Sequence, residues 1–375
     1  MTNPEPSARY IMMGGFLGSG KTTSVLKLAE HLHAQGKTVG LITNDQGRGL
    51  VDTSFLQAHG FPVQEIAGGC FCCRFHSLKE AADQLTEEAR PDVFIAEAVG
   101  SCTDLVATVS YPLRRLYGDQ FVIAPLSVVV DPLRALRIFE LEEGKRFSGK
   151  VRYIYKKQLE EADLILINKA DLIDEDQTHA LRSTLATHYP DATVQVVSAR
   201  NDTGMDAWFQ VVTSKQQSAH RNLAIDYSTY GDGEALLGWL NATIAVHAEQ
   251  PWDGNAWIKK MADELHRVLK QAQVEVAHLK MTLSPTDHAQ DLAVINLVDS
   301  AYVAETSMTL SADLSEGELV VNLRAEASPE TLESSLQQAL DACQNEAIAV
   351  RLEHIECFRP GKPVPVFREK SNSHE

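Results

Sequence analysis

Residues 13–23 read Met13-Gly14-Gly15-Phe16-Leu17-Gly18-Ser19-Gly20-Lys21-Thr22-Thr23 and match the pattern G-x-x-x-x-G-K-[ST]. An apolar run precedes this loop, and a segment with helical spacing follows it, so a helix N-terminus also faces the loop. Glycines in such a loop let backbone N–H groups point at a polyphosphate, while the lysine reaches the outer phosphates and the threonine hydroxyl binds the accompanying Mg²⁺. We therefore predict that phosphates are bound by Gly15, Gly18, Ser19, Gly20, Lys21, Thr22 and Thr23.

A second motif predicts which base is recognised. The apolar run 162–167 ends in Asn168-Lys169-Ala170-Asp171, an N-K-x-D arrangement in which the aspartate accepts hydrogen bonds from guanine N1 and N2. Adenine does not offer this pair of donors, so ATP would leave the carboxylate unpaired. A later strand-like run ends in Ser198-Ala199-Arg200, where Ser198 and Ala199 are placed to direct backbone N–H groups at guanine O6. The sequence therefore predicts a GTP site.

The segment Gly68-Gly69-Cys70-Phe71-Cys72-Cys73-Arg74-Phe75-His76 carries three of the six cysteines of the chain. Three thiols within four positions can converge on one ion, and thiolates prefer soft or borderline metals to Mg²⁺. His76 is a candidate fourth ligand. Buried cysteines that only fill space are one alternative. A redox pair is another, although a bridge between the adjacent Cys72 and Cys73 would be strained.

Together these motifs resemble the CobW-type metallochaperone GTPases, which are related to the nickel-inserting GTPases of hydrogenase and urease maturation. The resemblance covers about the first 210 residues. It implies a GTPase domain in which Cys70, Cys72 and Cys73 hold a transition metal, with metal affinity coupled to GTP binding and hydrolysis. Zinc is the first expectation for the metal, and cobalt or nickel are the alternatives.

The resemblance also implies roles for three acidic residues. Asn44-Asp45-Gln46-Gly47 stands where the family usually has N-E-x-G, and the downstream Asp52 is a candidate Mg²⁺ ligand, direct or through water. The shorter side chain of Asp45 weakens the transfer of a Mg²⁺-binding or water-positioning role to this residue. Glu97-Ala98-Val99-Gly100 follows a further apolar run, so Glu97 would hold Mg²⁺ through water and the Gly100 N–H would meet the γ-phosphate. Cys102 is either an extra ligand or a core residue.

By the same resemblance, we expect a GTP-hydrolysing metallochaperone that delivers metal to a client metalloprotein or readies a metallocofactor enzyme. Lys21 and Mg²⁺ would neutralise the developing phosphate charge, and Glu97 or Asp45 would orient the water. The sequence shows no evident arginine finger, so slow intrinsic turnover is expected. The alternative is a conformational chaperone or regulatory GTPase that docks on a cofactor-dependent enzyme without metal transfer.

The composition of the chain limits the classes of partner that we expect. The chain has 375 residues, 44% hydrophobic content and a formal net charge of −17, which disfavours nucleic acid as a partner. The N-terminus lacks the features of a signal peptide, and the apolar run 121–130 is too short to span a membrane. With six cysteines and no secretion signal, a reducing, cytoplasmic location without a membrane partner is expected. The oligomeric state is left open, with a homodimer as one option.

The order of elements predicts an α/β fold. Apolar runs near 9–13, 38–43, 61–66, 92–97, 122–130, 163–168 and 193–198 alternate with amphipathic segments, which predicts a doubly wound, mostly parallel sheet of the P-loop NTPase class. We expect this domain at 1–213. A linker and helical segment at 214–273 would follow, with a loop at 226–233 and helices at about 233–248 and 253–273. A smaller α+β domain with a Pro-rich tail would occupy 274–375.

Overall fold

The computed structural model describes residues 8–44, 51–217, 223–286, 291–345 and 347–369. The chain forms two compact units. The first unit comprises Met1–Gln46, Asp52–Tyr230 and Lys362–Glu375, and the second comprises Gly47–Val51 and Gly231–Gly361. Every helix in the described ranges is too short or too polar to cross a bilayer. The predicted site residue Asp45 lies outside the described residues.

The first unit is built on an eight-stranded sheet with parallel pairings throughout its described strands. Its strands are β1 (Ala8–Gly15), β2 (Val39–Asn44), β3 (Val63–Ile66), β4 (Val93–Glu97), β5 (Phe121–Ile123), β6 (Ser127–Val130), β7 (Leu164–Ile167) and β8 (Thr193–Val196). The order is β3-β2-β4-β1-β6-β7-β8, and β5 pairs with β1. The predicted α/β class and its parallel sheet are confirmed.

One of the predicted strands forms two separate strands in the structure. The apolar run 122–130 is divided between β5 and β6, and the break falls at Ala124-Pro125. Proline has no N–H to give to a strand ladder, so it interrupts the pairing. After the break, β6 pairs with β1 further along, beside Met13 to Gly15.

Helices connect the strands of the first unit. They are α1 (Lys21–Ala34), α2 (Val51–Ala58), α3 (Phe75–Ala89), α4 (Tyr111–Tyr117), α5 (Pro132–Ile138), α6 (Gly149–Glu160), α7 (Glu175–His188) and α8 (Met205–Ser214). A π-helical turn at Val106–Ser110 leads into α4. Since the strands are parallel, the loops that follow them gather at one edge of the sheet, which is where α/β proteins bind ligands.

The next elements show where the predicted helices were wrong. Helix α9 (Tyr227–Glu234) occupies the segment predicted as a loop, and the predicted helix at 233–248 is instead strand β9 (Leu237–Trp252). Side chains of Leu240, Ala242, Ile244, Val246 and Ala248 are all buried in the core, and this spacing of two is that of a strand. Pairing on both sides of β9, with β13 and β14, outweighs the helical propensity of the segment.

The second unit is an antiparallel sheet covered by helices. After β9 come α10 (Gly254–Gln271), β10 (Glu275–Pro285), β11 (Ala293–Leu297), β12 (Glu305–Met308), β13 (Leu314–Glu326), α11 (Pro329–Cys343) and β14 (Ile348–Phe358). The six strands lie in the order β12-β11-β10-β13-β9-β14. Helix α10 is capped by Asp253 and α11 by Ser328, each accepting a backbone N–H. The helix predicted at about 253–273 and the prediction of a second, smaller α+β domain are confirmed, while the bounds 274–375 stay a prediction.

Candidate functional site

The loop between β1 and α1 has the backbone of a phosphate cradle. Gly15 and Gly20 have φ of 129° and 93°, in the region that side chains rarely enter. A Cβ at Gly15 would lie 2.4 Å from Val129 O, and one at Gly20 would lie 2.4 Å from Asn168 Nδ2. Lys21 folds back over the loop, where its Nζ donates to Gly15 O at 3.0 Å. The loop therefore has the glycine conformations and the ammonium group that a phosphate site requires.

Three oxygen-bearing side chains converge at the start of α1. The buried Thr22 hydroxyl lies 2.8 Å from Asp52 Oδ1 and 3.1 Å from Glu97 Oε1. Since one hydroxyl has only one proton to donate, it cannot satisfy both carboxylates at once. Two carboxylates and a hydroxyl form a hard oxygen donor set, and such a set fits Mg²⁺. The sequence-predicted residues Thr22, Asp52 and Glu97 are thus brought together.

Asn168 connects the loop after β7 to two other loops by hydrogen bonds. Its Nδ2 donates to Ser19 O at 3.0 Å, and its Oδ1 accepts from the Ala199 N–H at 3.0 Å. Lys169 Nζ donates to Gly18 O at 2.7 Å, so it also closes on the phosphate loop. Asp171 is exposed and accepts from the Ser198 hydroxyl. The segment predicted to bind the base is therefore hydrogen-bonded directly to the phosphate loop.

Sequence reasoning did not select Asp131 as a site residue. Asp131 follows β6, caps α5 by accepting from the Arg134 N–H, and accepts from Lys169 Nζ at 2.8 Å. Burial opposes its ionisation, but the charges of Lys169 and Arg134 outweigh burial and hold its pKa below the ordinary value. An aspartate between an apolar strand and Pro132 is a helix-cap signal, and this signal could have drawn attention to it.

Two other predicted residues, Gly100 and Thr23, differ in their position relative to the loop. Gly100 lies so close to the phosphate loop that an added Cβ would meet the Leu17 side chain and backbone N at 2.7–2.8 Å. Thr23 is exposed on α1. The segment after β4 therefore passes beside the loop, and the γ-phosphate contact of Gly100 stays a prediction.

The three cysteines form a compact cluster after β3. Cys70 Sγ lies 2.8 Å from Cys72 Sγ and 3.3 Å from Cys73 Sγ, and the latter two are 3.7 Å apart. The N–H groups of Cys73 and Arg74 both donate to Cys70 O, which closes the turn that gathers the thiols. Cys70 and Cys72 are buried, and Cys73 is half-buried. A soft sulfur donor set in this arrangement fits a transition metal.

Two of the three thiols, Cys72 and Cys73, have pKa values raised by their surroundings. Hydrogen bonds with Cys102, Cys70 and Cys73, together with burial, raise the pKa of Cys72 well above its ordinary value. The pKa of Cys73 is also raised, chiefly by its hydrogen bond with Cys70. A bound cation would reverse this preference and release protons, because thiolates rather than thiols ligate metals.

His76 and Cys102 differ in their relation to the cluster. Within the described residues, the group of ligand atoms lying within 4.8 Å of one another contains the three cysteines and neither of these two. His76 is exposed, and its ring lies 5.8 Å from that of Phe367. Cys102 is fully buried and is hydrogen-bonded to Cys72. Cys102 therefore contacts a member of the cluster, as an additional ligand would.

A chain of hydrogen bonds runs from the oxygen donors to the thiols. Asp52 contacts Thr22, and the next residue, Thr53, shares a buried 2.8 Å hydroxyl pair with Thr43. Asn44 follows Thr43, and its Nδ2 donates to Gly69 O at 2.7 Å and to Ile66 O at 2.9 Å. Gly69 directly precedes Cys70 in the sequence. Neighbouring backbone and side-chain contacts thus connect the two donor sets.

A family model described as the CobW/HypB/UreG nucleotide-binding domain matches residues 9–196. The chain belongs to this family. It is 30% identical over 194 residues to the zinc chaperone CobW of Sinorhizobium sp, covering 46% of this chain and 54% of that relative. It is 28% identical over 177 residues to the zinc chaperone YeiR of Escherichia coli (strain K12), covering 46% and 50%.

The chain therefore spans about half the length of these two curated members of the CobW/HypB/UreG family. Among solved structures, HypB from Helicobacter pylori in complex with nickel is 18% identical, with a TM-score of 0.43, covering 58% of this chain and 92% of HypB. The resemblance predicted from the P-loop, the thiol motif and the N-K-A-D motif is confirmed by the family match.

Proposed function

We propose that this protein is a GTP-hydrolysing metallochaperone that binds a transition metal through Cys70, Cys72 and Cys73 and delivers it in a nucleotide-dependent way. The observation that carries the proposal is the presence of two donor sets of opposite character in loops at the same edge of one parallel sheet. One is a hard oxygen set beside a phosphate loop, and the other is a soft sulfur set.

On the nucleotide side, the exposed Asp171 receives guanine, and Asn168 and Lys169 hold the base-binding segment against the phosphate loop. Thr22, Asp52 and Glu97 would hold Mg²⁺, directly or through water, and Mg²⁺ would neutralise phosphate charge. Lys21 faces the outer phosphates. Either Glu97 or Asp45 would orient the attacking water. The protein contributes position and charge with no arginine finger assigned, so intrinsic turnover is slow.

On the metal side, zinc is the ion that we assign first. Two curated relatives are named zinc chaperones, and a three-thiolate set suits zinc. Cobalt and nickel remain alternatives, because thiolates accept both. We assign the zinc as cargo, because the half-buried Cys73 encloses the ion less completely than the buried Cys70 and Cys72 do. Its recipient would be a client metalloprotein or metallocofactor enzyme in the cytoplasm, and a homodimer is one option for the chaperone itself.

Coupling between the sites would use the hydrogen-bond chain from Asp52 to Gly69. Mg²⁺–GTP would compete for the contacts that Thr22 makes with Asp52, and movement of α2 would then reach Asn44 through the Thr53–Thr43 pair. Asn44 holds the backbone immediately before Cys70. Both ligands would thereby bias one arrangement of the same loops, which is what linkage requires.

The experiment is a metal titration of the full chain with Mg²⁺–GTP, with Mg²⁺–GDP and without nucleotide. The proposal predicts that GTP tightens zinc binding by roughly 5- to 150-fold and that zinc tightens GTP by the same factor. Thr53→Val, which breaks the hydroxyl pair at nearly constant volume, should weaken this coupling. Thr187→Val on the exposed face of α7 serves as the control.

Equal zinc affinity in all three nucleotide states would defeat coupled delivery. It would favour the second candidate, a conformational chaperone or regulatory GTPase that docks on a cofactor-dependent enzyme without handing on metal. The buried Cys70 and Cys72 favour that candidate, since a fixed structural ion would be enclosed in the same way.

A further inference from the structure

The C-terminal segment of the described chain returns to the thiol cluster. Residues 362–369 belong to the first unit, although the sequence between them and residue 230 forms the second unit. The Val364 N–H donates to Cys73 Sγ at 3.3 Å. Two residues on, the Val366 N–H donates to Cys72 O at 2.9 Å. The backbone of this segment is therefore hydrogen-bonded to two members of the cluster.

Side chains of the same segment fix it on either side of the cluster. The Phe367 ring packs edge-on against Phe75 at 5.0 Å, and Phe75 is the first residue of α3 after the thiol motif. Arg368 Nε donates to Asp104 Oδ2 at 2.7 Å, and its Nη2 donates to Leu223 O at 2.8 Å. Glu369 N–H donates to Ala107 O at 2.9 Å. The segment therefore bridges the thiol loop and the chain that follows Gly100.

Asp104 holds this segment in place through its hydrogen bond with Arg368. Its side chain is 1% exposed, and its backbone has φ of 66°. Burial raises the pKa of Asp104, while hydrogen bonds from Tyr227 and Arg368 oppose that rise. An unpaired buried carboxylate is costly, so the Arg368 contact favours the docked segment over a detached one. In the sequence, Asp104 lies two residues after Cys102, far from Phe75 at the end of the thiol motif.

We propose that residues 362–369 form the outer wall of the metal site, with the Val364 N–H stabilising the Cys73 thiolate in the metal-bound state. The proposal rests on the metal-binding part of the proposed function. Cys73 is the most exposed of the three thiols, and the segment covers it where an incoming chelator or acceptor thiol would attack. A hydrogen bond to an ionised acceptor is stronger than one to a neutral acceptor, so the contact strengthens when Cys73 binds an ion. Docking of the segment therefore slows release of the metal.

Val364 offers a matched pair of variants in the full chain. Val364→Pro removes the N–H donor, and the flanking Pro363 and Pro365 already hold this position in an extended backbone that proline adopts. Val364→Ala keeps the N–H and loses little packing, because the valine is 74% exposed. Co²⁺ serves as the probe, since its thiolate charge-transfer absorption reports ligation directly. Its release to excess EDTA is followed by loss of that absorption.

We expect Val364→Pro to release Co²⁺ about tenfold faster than the unmodified protein, with Val364→Ala unchanged. Equal release from all three proteins would overturn the inference while leaving the thiol site in place. Failure of the unmodified protein to bind Co²⁺ with thiolate absorption would instead overturn the metal site, and this inference with it.

A second measurement is made on metal-free protein. Arg368→Gln removes the charge that pairs with Asp104, so alkylation of Cys73 by iodoacetamide, followed by peptide mass spectrometry, should become several-fold faster. Arg351→Gln, at an exposed position on β14, is the matched control. Unchanged Cys73 alkylation in Arg368→Gln would show that the segment does not cover the thiol and would also overturn the inference.

Discussion

The two donor sets of the first unit are assembled in opposite ways. The three thiols come from positions within a stretch of four residues and are gathered by one turn closed on Cys70 O. The oxygen donors Thr22, Asp52 and Glu97 come from α1, α2 and β4, and Thr22 and Glu97 are 75 residues apart. The sulfur site is thus encoded locally, whereas the oxygen site exists only once the parallel sheet has placed its loops side by side. Mutations should therefore be able to remove the sulfur site without disturbing the oxygen site, and the reverse.

The largest expected effect is a loss of zinc affinity that leaves the nucleotide site unchanged. Combined replacement of Cys70, Cys72 and Cys73 by serine should lower zinc affinity by at least about a thousandfold, because neutral hydroxyls are poor ligands for borderline ions. GTP affinity should change by less than about twofold, since no oxygen donor is altered. Competition with a colorimetric zinc chelator and titration with a fluorescent GTP analogue measure the two affinities.

Cys357→Ser in the second unit is the control for that triple variant, because its thiol lies outside the cluster. Tight, stoichiometric zinc binding by the triple variant would contradict the assignment of the thiols. A parallel collapse of GTP affinity would show that the two sites are not separable.

A smaller effect is expected on the nucleotide side alone. Asp171→Asn should weaken GTP by roughly a hundredfold and strengthen xanthosine triphosphate by a similar factor, because the amide donates where the carboxylate accepted. Zinc affinity without nucleotide should stay the same. Asp176→Asn, exposed in the first turn of α7, is the matched control. Equal competition by GTP and ATP for the unmodified protein would show that the guanine assignment is wrong.

The smallest effect, at most about tenfold in the unfolding equilibrium constant for each pH unit, concerns a buried carboxyl group near Cys102. Burial, aided by the charge of Asp104, raises the pKa of Glu161 to about 8 from an ordinary value of 4.5. The folded state therefore keeps a proton that the unfolded chain loses. The free energy of unfolding should fall as pH rises from 4.5 to 8, by at most about 1.4 kcal/mol per pH unit, and should level off above that range.

Glu161→Gln should flatten this slope, and urea unfolding at pH 5, 6, 7 and 8 measures it in both proteins. The glutamine can keep an oxygen acceptor toward Thr103 Oγ1 or the Val106 N–H. Identical slopes in the two proteins would mean that Glu161 is ionised in the folded state.

The difference between local and topological assembly also explains what could be predicted from the sequence. The phosphate loop, the base motif and the thiol turn are contiguous, so their residue types alone predict their chemistry. The parallel sheet was predicted because buried central strands read as continuous apolar runs. The Asp52–Thr22 contact depends on the placement of loops by the sheet, and only the family resemblance suggested it.

Strand β9 and the C-terminal segment illustrate what the sequence could not supply. Residues 233–248 contain enough helix-forming residues to suggest a helix, but β13 and β14 pair with both edges of this segment. Such pairing partners lie far along the chain and leave no local signal. The docking of Val364 on Cys73 joins positions 291 residues apart. The Pro-rich composition of that segment predicts an extended backbone but not where it binds.

Asn168 has a consequence for how the nucleotide site opens. One amide group holds the backbone of Ser19 in the phosphate loop and that of Ala199 in the base loop. Neither loop can move away from Asn168 without breaking a buried hydrogen bond, and the same side chain serves both. Local opening should therefore be cooperative, so that amide protons in the two loops exchange with solvent at a shared rate. A nucleotide leaving from either end would meet one barrier rather than two.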